Sequence, residues 1–209
     1  MEPRELGLFP LSMALVPGEL MPLHIFEPRY RDLVADCLER EVPFVLLYAD
    51  EDGARELGCS ARVAEVVARF DDGRMDIVVQ GTEVVRVTEL TRGHSYLSGH
   101  VELAEDDLEV TGDEAARAVE LYTRIADLSG IDADPAAVSG EQPVSYTIVS
   151  RVELPAQDKQ RVIEERTERG RLALLCTILQ VGLDNLAAAT ALADLAQTNG
   201  HSKKGPLGR

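Results

Sequence analysis

Apolar and polar residues alternate at the period of a β-strand through the first half of the chain, then at the period of a helix. Pro43 to Tyr48 (PFVLLY) is a short apolar run of strand length. Arg62 to Phe70 is β-branched and roughly alternating, Asp72-Gly73 supplies a hairpin turn, and Met75, Ile77 and Val79 alternate on the return strand. Val85 and Val87 continue the pattern beyond Gly81, and Val101 and Leu103 mark one more strand. Strands at this spacing over residues 6–104 predict a barrel or rolled sheet. One helix interrupts them: Pro28 suits a first helical position, and Tyr30, Leu33, Val34, Cys37 and Leu38 share one face. Glu27 and Arg31 have the spacing of a surface pair on that helix.

Residues 105–112 (EDDLEVTG) are acidic and read as an exposed linker. Beyond them Thr111 with Glu114 resembles a capping box, Val119, Tyr122, Ile125 and Ala126 define an apolar face, and Gly130 can end the helix. Pro143 opens a second, short helix with Val144, Ile148 and Val152 inward. A third helix is expected over 156–181, stopping near Gly182, with its polar middle, Glu164 to Arg171, left out of the core. An Ala- and Leu-rich last helix is expected over 184–197. The resulting division is a β-barrel part at 1–108, a helical part at 113–198 and a disordered tail at 199–209.

Composition narrows the functional classes. The 209 residues carry a net charge of −16 and a sequence pI of about 4.6. No Lys/Arg-dense face with interleaved aromatics is visible, which argues against nucleic acid as a partner. The N-terminus has no basic n-region, and Pro10 and Pro17 interrupt its apolar stretch, so no signal peptide is expected. No uninterrupted run of about 18 apolar residues occurs, so no membrane span is expected. Cys37, Cys59 and Cys176 are odd in number and widely spaced, fitting neither a disulfide framework nor a metal knuckle, and the cytoplasm is the simplest compartment.

Candidate chemistry is sparse. Gly93-His94-Ser95-Tyr96-Leu97 approaches a nucleophile elbow but lacks its last glycine and precedes a strand, so a polar turn is the better reading. Lys159, Lys203 and Lys204 are the only lysines; Lys159 is expected at the surface, and no Ser–Lys pair is foreseen. His24 has no ligand-spaced partner among His94, His100 and His201, and is expected to be hydrogen-bonded rather than metal-bound. Asp50 to Gly53 is a fragment of a calcium-loop pattern and reads as a solvated turn. No metal and no cofactor are expected.

The segment Pro17 to Pro28 admits two readings. Its three prolines restrict the backbone and remove amide donors, so it can wrap a barrel edge with Leu23, Ile25 and Phe26 as core. Alternatively Leu20, Met21, Pro22, Ile25 and Phe26 form an apolar polypeptide-binding surface, with Met21 the residue the core needs least.

Three elements together resemble the N-terminal, substrate-binding domain family of Lon proteases. They are Leu8-Phe9-Pro10-Leu11 followed by Leu15 to Tyr30 (LVPGELMPLHIFEPRY), the hairpin at 72–87, and Lys159-Gln160, Ile163-Glu164 and Arg171-Leu172. The resemblance spans residues 6 to about 181, with Gly58-Cys59-Ser60 a local departure where the family has Gly-Thr. It implies a stand-alone α+β protein with a PUA-like β-barrel followed by a helical bundle. It also implies capture of polypeptide, either unfolded segments or a specific partner protein. A Walker A pattern is absent, and the chain has no room for ATPase or protease domains. The expectation is therefore a non-catalytic polypeptide-binding module. The runner-up is an adaptor or regulatory scaffold for a separate protease or ATPase. RNA binding through the PUA-like fold ranks lower because of the charge, and a small-molecule hydrolase lower still for want of a nucleophile.

Overall fold

The computed structural model describes residues 4–109, 112–130 and 142–199, the last ten as backbone only. The elements in chain order are β1 (Arg4–Leu11), β2 (Leu20–Ile25), α1 (Pro28–Arg40), β3 (Phe44–Asp50), β4 (Gly53–Ala54), β5 (Leu57–Arg69), β6 (Met75–Thr91) and β7 (Ser98–Leu103), then α2 (Gly112–Ser129), α3 (Val144–Val149), α4 (Ala156–Glu164) and α5 (Glu168–Asn199). The class is α+β, as expected.

Strands β1, β7, β6, β5 and β3 form a ring, closed by parallel pairing of β1 with β3 from Leu8↔Val45 to Leu11↔Tyr48. The other ring pairings are antiparallel. β2 lies outside the ring against the first half of β6, from Leu20↔Gln80 to Ile25↔Met75. The 17 residues of β6 thus serve two purposes: its first half is the middle of a β2–β6–β5 sheet, and its second half is a wall of the barrel. Three register shifts in the β5–β6 pairing, at Cys59/Ala61, Val63/Glu65 and Val66/Ala68, let this long hairpin bend away from the ring. Its turn closes at Gly73, whose φ of +84° suits glycine. Gly81 marks a close approach, because a Cβ there would stand 2.2 Å from the Val16 carbonyl oxygen.

Period-two alternation explains what is buried. Met75, Ile77 and Val79 of β6 and Met21, Leu23 and Ile25 of β2 point inward onto Tyr30, Leu33, Val34 and Cys37 of α1. Tyr30 stacks on Phe9 with ring centroids 3.9 Å apart. Each such fully buried aliphatic side chain contributes about 1.5–3 kcal/mol relative to exposure, so this one seam fixes the face that β2 turns to solvent. A second core joins the two parts of the chain: Val16, Tyr48, Leu57 and Val84 of the barrel pack in one cluster with Tyr122, Ile148, Val162, Leu172 and Leu175 of the helices.

The helical part departs from expectation in three places. The foreseen helix over 156–181 is broken at Glu165, which is extended, and Thr167 restarts it by accepting the Gly170 amide on Oγ1 at 3.0 Å. Gly182 does not stop α5, which runs on to Asn199. A helical glycine costs only about 1 kcal/mol, and here it is flanked by buried Leu179 and Leu183. The polar stretch assigned to the surface holds two of the most buried charges, Glu168 and Arg171. Gly130 does end α2, with φ +67°, whereas the Thr111 capping box and the tail beyond Asn199 lie outside the described residues.

The acidic stretch after β7 joins the two parts, but it is fastened rather than free. The Asp107 amide donates to the Arg166 carbonyl at 3.0 Å, and the Glu168 amide to the Asp107 carbonyl at 2.8 Å. By length and composition one described stretch, Glu168–Ala189 of α5, is apolar enough to cross a membrane. Its Arg171, Leu172, Leu175, Leu179 and Leu183 are buried against the rest of the fold.

Candidate functional site

The most unusual surface is the outer face of the β2–β6–β5 sheet. Antiparallel register aligns three rows across it: Leu20–Gln80–Arg62, Pro22–Val78–Glu65 and His24–Asp76–Ala68. Leu20 is 60% exposed and Phe26, just past the strand, 59% exposed. Pro22 is exposed between them, and Phe70 at the hairpin end is 41% exposed. His24 ties these together. Its Nδ1 stands 2.6 Å from Asp76 Oδ1, its ring stacks on Phe26 at 6.0 Å, and it meets Phe70 edge-on at 6.1 Å. The expected hydrogen-bonded histidine is thus a cross-strand surface pair.

The five residues assigned to a binding surface are therefore split by the pleat. Leu20, Pro22 and Phe26 face solvent, whereas Met21, 8% exposed, and Ile25, 1% exposed, belong to the core. The expectation that Met21 is dispensable to the core is corrected: consecutive strand residues point to opposite faces, and its side of β2 is covered by α1. Phe70 and Val78 were missed as members of the face. The signal was their place on the hairpin, since Val78 falls between inward Ile77 and Val79.

Other sequence candidates are committed elsewhere. The Ser95 hydroxyl donates to Asp32 at 2.6 Å and Tyr96 to Asp36 at 2.6 Å, so the 93–97 turn is docked on α1. Glu27 pairs with Arg29 at 2.8 Å instead of Arg31, whose guanidinium reaches the Asp72 carbonyl at the hairpin turn. Asp50 accepts the Asp52 amide and pairs with Arg55, completing a turn from within the chain. Lys159, expected at the surface, forms a largely buried ion pair with Glu19, whose other carboxylate oxygen accepts the Val16 amide. This pair bolts α4 to the barrel.

At the junction, Arg171 is fully buried. Its guanidinium binds Glu168 at 2.9 Å and Asp106 at 2.9 Å, donates to Ser145 Oγ at 3.0 Å, and lies 4.4 Å from the Tyr146 ring centre. Burial by itself would lower its pKa, but Tyr146, Asp106 and Glu168 outweigh this and hold it above the ordinary value. Asp106 also binds Arg166 at 2.5 Å. Among the described residues, no group of three or more His, Cys, Asp or Glu side chains is placed to hold a metal. Burial raises both Cys37 and Cys59, so neither is an activated nucleophile. An apolar groove of about 520 Å³ lies between α2 and α5 beside Arg117, Cys176 and Val181.

This arrangement is that of a Lon N-terminal domain. The structure matches a Lon N-terminal domain protein from Xanthomonas campestris with a TM-score of 0.63 at 25% identity, over 83% of this chain and 98% of that one. It matches the N-terminal domain of the Mycobacterium avium complex Lon protease with a TM-score of 0.67 at 17% identity, over 85% and 98% of the two chains; that likeness is one of fold. In sequence, the chain is 25% identical to Lon protease 2 of Syntrophobacter fumaroxidans over 208 residues and 26% identical to Lon protease of Anaeromyxobacter dehalogenans over 198 residues. These alignments cover 92% and 85% of this chain, yet it spans only 26% and 23% of the two relatives. The family model for the ATP-dependent protease La (LON) substrate-binding domain matches residues 5–181, and the chain belongs to that family. The matched part is the substrate-binding domain.

Proposed function

We propose that this chain is a cytoplasmic, non-catalytic polypeptide-binding protein that takes extended apolar segments of other proteins onto the outer face of the β2–β6–β5 sheet. One observation carries the reading: Leu20, Pro22, Phe26 and Phe70 are exposed together on a face whose opposite side is fixed by core packing. Single exposed apolar residues are ordinary, but a contiguous group on a rigid element marks an interaction site. Membership of a substrate-binding domain family supports the same reading. Apolar contact of this kind accepts many sequences, which suits unfolded segments. An adaptor role draws on a separate observation, the apolar groove of about 520 Å³ between α2 and α5.

The test is fluorescence anisotropy with a labelled, permanently unfolded polypeptide. Replacing Leu20 and Phe26 together by serine should weaken binding about tenfold, a typical loss on removing an aromatic anchor. Unchanged affinity in a folded variant would reject the face.

A further inference from the structure

We propose that the segment captured on this face is basic as well as apolar, and that acidic segments of equal hydrophobicity are discriminated against. The inference rests on the polypeptide-binding reading above and adds a substrate class to it. Its first support is the distribution of charge. The chain carries a net −16, yet the stretches forming the face, 20–31 and 62–80, are neutral: Glu27, Glu65, Asp71, Asp72 and Asp76 are matched by Arg29, Arg31, Arg62, Arg69 and Arg74. The excess negative charge of the chain therefore lies outside these two stretches. Such a field concentrates cationic chains near the face and repels anionic ones, without requiring the contact itself to desolvate many charges.

The second support is local. Of the arginines in these stretches, Arg29 and Arg74 are held in ion pairs with Glu27 and Asp72, while Arg62, Arg31 and Arg69 are directed onto neutral partners: Gln80, the Asp72 carbonyl and Met75 Sδ. Glu65 is exposed in the row with Pro22 and Val78, and no cation reaches it among the described residues. A lysine or arginine spaced between two apolar anchors of a bound segment meets that carboxylate while the anchors rest on Leu20, Pro22 and Phe26.

Two labelled peptides of about 15 residues test this against the full chain. Both carry the same Leu, Phe and Val at alternate positions; one has lysine between them and the other glutamate. At about 20 mM salt the basic peptide should bind about tenfold tighter, and the gap should shrink to about twofold at about 500 mM, where charges are screened within ~4 Å. Glu65→Gln should weaken the basic peptide about threefold at low salt, the scale of one exposed pair, without weakening the acidic one. Equal or reversed ranking at low salt overturns the inference and leaves the polypeptide-binding reading intact. Basic-peptide binding that survives joint replacement of Leu20 and Phe26 by serine also overturns it, since adhesion is then elsewhere on the acidic surface. Failure of both peptides to bind overturns the reading and the inference together.

Discussion

The outer face of the β2–β6–β5 sheet and the junction around Arg171 treat their side chains in opposite senses. The sheet leaves Leu20 and Phe26 in solvent, while the junction takes a guanidinium and a carboxylate, Arg171 and Glu168, out of it. Burying charge is tolerated only because the set is complete: Glu168, Asp106, Ser145 and the Glu165 carbonyl all accept from Arg171. Exposing apolar residues is tolerated because β2 is anchored from its other side by Met21, Leu23 and Ile25. The junction therefore bears on stability and the sheet face, in the proposed reading, on binding, and substitutions should separate them.

The largest effect is expected at the junction. Arg171→Met should cost about 3–5 kcal/mol, because it leaves the buried Glu168 carboxylate without its counter-charge, and urea denaturation will show it as a lower midpoint. Replacing Glu168 by leucine in the same chain should recover part of that loss. A midpoint within error of wild type would mean that the network adds nothing. The same variant should expose residues 105–109 to limited proteolysis, because Asp106 is held there by Arg171 and Arg166. The wild-type chain should resist cutting at this stretch.

Neighbouring residues of β2 provide the next contrast. Met21→Asp buries a carboxylate beneath α1 and should cost about 3 kcal/mol or more. Leu20→Asp, one position away, should change stability by no more than about 0.5 kcal/mol while weakening polypeptide binding. Equal destabilisation by the two would show that the pleat is assigned the wrong way round.

That contrast also shows where sequence reading stops. The hairpin at Gly73, the inward set Met75, Ile77 and Val79, and the face of α1 were all legible, because period and turn chemistry agreed. In β2 they conflicted. Leu20, Met21, Leu23 and Ile25 are all apolar, so His24 alone marks the outer face, and Pro22 argues against a strand. The strand forms because it lies at the edge of its sheet, pairing among the described residues only with β6, where a missing amide is tolerated. Arg171 was illegible for a different reason. A polar run reads as solvated unless its partners are known, and here they come from Asp106, far back in the chain, and from α3. The same holds for Lys159, whose partner Glu19 is on the barrel. Of the five residues assigned to one surface, Leu20, Pro22 and Phe26 are therefore exposed, and Met21 and Ile25 are in the core.

The smallest effect concerns alkaline pH and belongs to neither region. Burial pushes the Cys37 thiol up to about 11 and Cys59 further still, from an ordinary value of 9.0. The folded thiols thus keep their protons where the unfolded chain has begun to lose them. Their contribution is fully present below pH 9 and is lost as pH rises towards 11. The thermal midpoint should fall across that window, and Cys37→Ala should flatten the fall. A midpoint rising between pH 9 and 10.5 would contradict the burial of these thiols.

The parallel clasp between β1 and β3 also has a consequence for biosynthesis. A chain emerging from the ribosome presents β1 first, and its partner Val45 to Tyr48 follows well before the antiparallel partner around Val101. The barrel can therefore acquire a seam early, but its last wall must wait for β7. Asp106 must wait longer, until α5 delivers Arg171. During that interval Val16, Tyr48, Leu57 and Val84 lack their helical cover. The nascent protein consequently displays an apolar surface of its own, of the kind the finished one is proposed to recognise in others.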